Sequence, residues 1–195
     1  AGAQTSNPYA TPHLAPAPVT PTKGNAMDEL TAFATHGAKL LESVKGDLTG
    51  DGQGGALLVL DPPPTVNGEP GQEPFRLVVL LLRDPTGQFK RVSENGRLVP
   101  CSRCGGAAGD PYAYSRVGKG QFTVVVGGGS RERWSDEYSF TYQATKRDWF
   151  VSSVTRKVFD TETEKEKHID LTTQELGTIS FTDFDPSHLP EVTLP

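Results

Sequence analysis

From residue 56 onward the chain is a succession of short β-favouring runs, and no gap between them shows the pattern of a crossover helix. The runs are Ala56 to Asp61, Phe75 to Arg83, Gln88 to Glu94, Gln121 to Val126, Trp134 to Gln143, Trp149 to Lys157, Lys167 to Leu171 and Thr178 to Phe184. Tyr138, Phe140 and Tyr142 alternate with polar residues, the period of a half-buried strand. Pro85-Thr86-Gly87 and Asn95-Gly96 supply turn chemistry between runs. Parallel neighbours need long crossovers, so connectors like these predict antiparallel pairing. About eight strands around one core predict a mainly β fold, either an antiparallel β-sandwich or a barrel-like meander.

One helix is expected to pack on that fold, over about residues 26–44. Asn25 is a suitable N-cap, Asp28 and Glu29 favour the first turn, and Met27, Leu30, Phe33, Ala34, Leu40, Leu41 and Val44 make an apolar face. Residues 1–24 read as a tether: Pro8, Pro12, Pro16, Pro18 and Pro21 alternate with Ala and Thr, a composition that builds no core. The folded domain is expected over 25–185, followed by a tail over 186–195. No signal-peptide pattern opens the sequence, which leaves a cytosolic protein or a processed one.

Several function classes are disfavoured. A net charge of −5 with interspersed signs argues against nucleic-acid binding, which wants a basic stripe. The apolar run Leu77 to Leu82 is too short to span a bilayer. His13, His36, His168 and His188 stand in no nucleophile or metal motif, and Glu162, Glu164 and Glu166 read as a solvated turn. The expectation is a protein that is not an enzyme.

Three local motifs remain. In the first, Asp47, Thr49 and Asp51 alternate ahead of Gly52, the spacing of a hard-cation loop whose seventh position gives a backbone carbonyl, here that of Gln53. The segment GDLTGDGQGGALLVLD resembles the calcium loops of FG-GAP repeats and dockerins over about a dozen residues. It has Thr49 where Asn or Asp is commoner, and Gly55 where another acidic ligand is usual. The loop, over 47–55, is therefore expected to bind Ca2+ weakly and structurally, with Asp47, Thr49, Asp51 and Gln53 as ligands, or else to be a metal-free Asp/Gly turn.

The second motif is Cys101-x-x-Cys104, with no further cysteine and no neighbouring His to complete a zinc site. A structural disulfide pinning the following Gly-rich loop is the first expectation, ahead of reduced thiols or redox catalysis. The third is Gly127-Gly128-Gly129-Ser130-Arg131-Glu132-Arg133-Trp134. It is read either as a protruding loop of binding-prone residue types or as an ordinary hairpin tip, with Trp134 turned to the core.

Taken in order, GDLTGDG…VLD, CSRCGG…GDPY and GGGSRERWSDEYSF resemble a family of small lipoproteins from Xanthomonas-type bacteria, over about residues 40–185. Those proteins confer immunity against type IV secretion effectors used in bacterial killing. The family is similar in fold to periplasmic inhibitors of i-type lysozymes, β-sandwiches that push a loop with a Ser-Gly-x-x-Tyr-type motif into the enzyme cleft. The resemblance implies an inhibitory loop of Gly128, Gly129, Ser130, Arg131, Glu132 and Arg133, with Trp134 departing from the motif. It implies a lysozyme-like peptidoglycan hydrolase as partner, a periplasmic location, and membrane contact only through a lipid anchor upstream, as in an outer-membrane lipoprotein. The competing expectation is a calcium-stabilised peptidoglycan- or carbohydrate-binding module that stacks sugars on Tyr112, Tyr114 and Trp149.

Overall fold

Leu57 to Leu60 and Val78 to Leu81 are buried without a break. Strands apolar on both faces need a cover on each. The computed structural model, which describes residues 29–63 and 73–194, supplies both covers. The first sheet is β1 (Lys39–Gly46), β2 (Gly55–Asp61), β3 (Arg76–Arg83) and β4 (Phe89–Val99), paired in that order. The second is β5 (Tyr112–Gly118), β6 (Gln121–Gly129), β7 (Glu132–Gln143), β8 (Asp148–Asp160) and β9 (Glu166–Thr172), again in sequence order. Every pairing is antiparallel.

The inner faces meet in the main core, where Leu57, Val59, Val78 and Leu80 pack in one cluster with Phe122, Val124, Tyr138 and Phe140. The outer face of the first sheet, Leu58, Leu60, Val79 and Leu81, is covered by Leu30 with Phe33 and Ala34. The result is a two-sheet antiparallel sandwich of nine strands, and neither sheet closes into a barrel.

The helix expected over 26–44 does not run that far. Residues 26–28, like the tether over 1–24, lie outside the described residues, and only residues 29–31 are helical. His36 and Gly37 then adopt φ of 59° and 84°, a left-handed pair that no α-helix passes through. From Lys39 the chain is β1. Leu41 sits at a register shift between Leu40 and Glu42. Leu40 joins the outer cluster and Leu41 the inner core; past the bulge Val44 opposes the inner-face Leu57, so Leu41 and Val44 share a face at a helical spacing.

Other differences follow from register. Asn95-Gly96 is no turn: it lies inside β4, where the β3 register jumps from Arg76↔Val99 to Val78↔Asn95. Pro85-Thr86-Gly87 does turn, with the Asp84 carbonyl accepting from Gly87 N at 2.8 Å. β5 stands where no strand was expected, its alternation broken by a shift between Tyr112 and Tyr114.

Thr178 to Phe184 joins no sheet. It makes a single bridge, Phe150↔Ser180, and drops Phe181 and Phe184 between the sheets. Phe181 meets Phe122 and Phe140 edge-on at 5.2 Å, and Phe184 meets Tyr138 at 5.5 Å. The buried Asn95 amide donates to the carbonyls of Phe181 and Phe184 at 2.6 and 2.8 Å. Packing continues past residue 185: Pro186 is buried, and Arg156 donates to Pro190 O at 3.0 Å.

Candidate functional site

β6 carries the chain from the acidic loop to the Gly-rich hairpin, nine residues and so roughly 26 Å. The two motifs that drew most attention in the sequence therefore lie at opposite ends of the sandwich.

At the first end, Asp47 Oδ1 accepts from Gly50 N at 2.9 Å and Oδ2 from Gly52 N at 3.1 Å. Asp51 Oδ1 accepts the Thr49 hydroxyl at 2.6 Å and Gln53 N at 2.9 Å. The Thr49 hydroxyl and then the Gln53 amide hold the Asp51 carboxyl below the usual range. The loop is bolted to the sandwich through its own backbone. Leu48 is fully buried, its carbonyl accepting from Trp149 Nε1 at 2.8 Å, and the Asp47 carbonyl accepts from Gly120 N at 2.8 Å. The donor set, two carboxylates, a hydroxyl and a carbonyl, fits a hard cation only if the Thr49 proton swings away from Asp51. As it stands, the loop closes on its own N–H groups.

The opposite end is built around the disulfide. Cys101 and Cys104 are bonded. The loop that follows runs beside the glycine end of β6, where Gly105 O accepts from Gly129 N at 2.9 Å and Pro111 O from Gly127 N at 2.8 Å. Both ends of that loop are tied to β3 by Arg76, which is only 1% exposed. Its guanidinium grips Asp110 with two bonds of 2.8 and 2.7 Å, Asp61 at 2.8 Å and Pro100 O at 3.1 Å. Such bidentate Arg–carboxylate pairs are both strong and directional.

The glycines are spent on this packing rather than on a protruding turn. Gly127, Gly128 and Gly129 pair with Ser135, Trp134 and Arg133. A Cβ on Gly128 would meet Gly105 O and the Trp134 ring at 3.0 Å, and Gly129, at φ 107°, has the Glu132 carbonyl where a Cβ would go. Of the six residues proposed for the loop, Ser130, Arg131 and Glu132 are exposed, whereas Gly128 is buried and Gly129 and Arg133 are half-buried.

Nor does the tip stand alone. Arg131 pairs with Asp160 and Glu162, each at 3.2 Å, and the Thr161 N–H and hydroxyl donate to the Arg131 carbonyl at 3.0 and 2.8 Å. The Arg131 guanidinium, helped by the Thr163 N–H, holds the Asp160 carboxyl down to about 2. Hairpin tip and β8–β9 turn are thus one braced unit.

Beside that unit a cleft of about 490 Å³ opens, lined by Trp134, Asp136, Tyr138 and Arg156 with Phe75 and Arg97. Its polar groups answer one another. Arg156 Nε bonds Asp136 Oδ1 at 3.1 Å and the Tyr138 hydroxyl bonds Oδ2 at 2.9 Å. Burial pushes the Asp136 carboxyl up against the pull of Arg156. Trp134 faces this cleft half-buried. The aromatic residues named for sugar stacking do not present a platform: Tyr112 and Trp149 are each 2% exposed. Tyr114 is half-buried against Val125 and bonded by Arg116.

Sequence reasoning missed Arg76, Asp110, Asp136 and Arg156. Their carboxylate or arginine partners lie 15, 20 or 34 positions away, and only the contiguous Gly-Asp-Pro-Tyr hinted at a fixed turn. No known protein-family model, curated protein or solved structure matches this chain.

Proposed function

We propose that this is an immunity protein that inhibits a secreted, lysozyme-like peptidoglycan hydrolase in the periplasm. The observation that carries this reading is the exposed Ser130-Arg131-Glu132 tip, held rigid between the disulfide loop and the Asp160 turn. Glycosidases of this class depend on carboxylic side chains in a groove shaped for a sugar chain. A pre-organised tip loses little freedom on entering such a groove. Ser130 and a neighbouring guanidinium, that of Arg131 or of Arg133, bond the carboxylates, and charge-assisted pairs of that kind are the strong ones. Inhibition is then by occlusion, with no covalent step. A disulfide suits an oxidising compartment, and a lipid anchor upstream would hold the domain at the outer membrane. Calcium at Asp47, Thr49, Asp51 and the Gln53 carbonyl is part of the same proposal, as a weak brace at the far end.

The test is turbidimetric. Purified protein is titrated into a panel of lysozyme-like hydrolases acting on peptidoglycan. At least one member should lose turnover at near-stoichiometric inhibitor, and Ser130→Ala combined with Arg131→Ala and Arg133→Ala should relieve it. A triple variant that inhibits as well as the parent would remove the loop assignment. No inhibition anywhere in the panel, together with retention on purified peptidoglycan, would favour the binding-module reading instead.

A further inference from the structure

Among the described residues, every arginine but two has a carboxylate within 4.0 Å. The exceptions are the exposed Arg147 and the half-buried Arg133. Arg147 has water. Arg133 does not have enough of it: its Nε and Nη1 are closed off from solvent, and neither has a hydrogen-bond partner. A guanidinium keeps its charge at any working pH. Shielding two of its donors without an acceptor carries the desolvation cost with nothing to offset it. Buried donors are nearly always met, and no described residue supplies an acceptor to this pair.

The surroundings fit an anion. Asp136 and Arg156 are opposed on the inner face of the second sheet, so Arg133 and Ser135 on β7 and Lys157 and Phe159 on β8 belong to the outer face. Arg133 stands between Gly129 and Phe159, and Ser135 stands between Gly127 and Lys157. The β6 flank of Arg133 is therefore bare backbone. Lys157, diagonal to Arg133, is a second cation with no carboxylate within 4.0 Å among the described residues. Arg131, two residues away, is by contrast already committed to Asp160 and Glu162.

We infer that Arg133, with Lys157 beside it on the outer face of the second sheet, is a receptor for an oxyanion. The identity of its natural ligand rests on the inhibitory reading above: it is the carboxylate of an acidic side chain on the hydrolase. The contact surface then runs from Ser130 down the outer face of β7, and Arg131 acts as a brace for the tip rather than as the pairing cation.

The receptor is tested without any hydrolase. The Arg133 side-chain Nε–H resonance of the full chain is followed by NMR while acetate, and separately inorganic phosphate, is added. A saturable shift with acetate is expected, with phosphate competing for it. Binding followed on neighbouring backbone amides should weaken about tenfold or more in Arg133→Gln, weaken less in Lys157→Gln, and stay unchanged in Arg131→Gln. Absence of a saturable shift, or undiminished binding in Arg133→Gln, overturns the receptor whatever the turbidity assay gives. A shift that is present while no hydrolase is inhibited leaves the receptor standing and removes the inhibitory reading. If hydrolase inhibition is lost in Arg131→Gln and kept in Arg133→Gln, the partner's carboxylate is not the ligand.

Discussion

The two ends of the sandwich handle their polar groups in opposite ways. At the acidic loop, Asp47 and Asp51 turn inward onto neighbouring N–H groups, Leu48 is sealed into the core, and its carbonyl takes the Trp149 indole. At the hairpin end the neutral backbone pairs are made first. The charges are then layered outside them: Arg76 deepest, Arg156 in the cleft, Arg131 at the rim, and Arg133 unmatched. One end completes the fold. The other leaves Ser130, Arg131 and Glu132 exposed at its rim. A local motif that resembles a ligand site can thus be the more self-sufficient of two loops.

The largest effect should come from cutting the hairpin end loose at its root. Arg76→Ala leaves Asp61 and Asp110 facing a gap, and the Pro100 carbonyl loses a donor. Removing one partner of a fully buried ion pair costs about 3–5 kcal/mol; with Asp61 and Asp110 each about a third exposed, the loss lies at or below the low end of that range, read as a drop in the midpoint of chemical denaturation. Hydrogen exchange should locate the damage in the Cys101 to Tyr112 loop and the Gly129 amide, with the Gly50 and Gly120 amides keeping their protection until global unfolding. Equal loss of protection at both ends would mean that the ends are not separate units.

The contrast between ends also explains what could be read in advance. The alternation at Tyr138, Phe140 and Tyr142 reports a half-buried strand directly, because neighbours in sequence face opposite sides. The acidic loop was legible for a similar reason, since its bonds join residues two to five apart. β1 was hidden by the bulge at Leu41, which rephases its apolar residues into a helical period. Phe181 and Phe184 were visible as apolar, but nothing local distinguishes a plug from a strand. Arg156 meets Asp136 through strand register and Arg76 meets Asp110 through the loop ahead of β5, and isolated charges carry no trace of distant partners. For that reason the hairpin's sequence was noticed while its bracing was not.

A smaller effect is expected from the disulfide. Cys101→Ser with Cys104→Ser opens a loop with a separation of only three residues, for which the chain-entropy model gives about 2 kcal/mol. Gly105 would lose some of its hold on Gly129, so the variant should inhibit less well than its stability alone requires. That is measured as a reduced association rate with the hydrolase under conditions where both forms are folded. If the reduced and oxidised proteins associate equally fast, the disulfide serves the fold and not the presentation of the tip.

The smallest effect lies at the acidic end and decides whether that loop is as complete as its hydrogen bonds make it. With a dissociation constant of about 1 mM, about 5 mM free calcium stabilises the folded state by about 1 kcal/mol through mass action. For a domain of this size that corresponds to about 2–4 °C in Tm. The gain should vanish in Asp51→Asn, which keeps an acceptor for the Thr49 hydroxyl and the Gln53 N–H while losing the charge a cation needs. A Tm indifferent to calcium and to chelator would make Asp47 and Asp51 caps for the turn and nothing more. Either result leaves Trp149 and Leu48 as the anchor, because the Trp149 indole donates to the Leu48 carbonyl and that bond does not pass through the carboxylates.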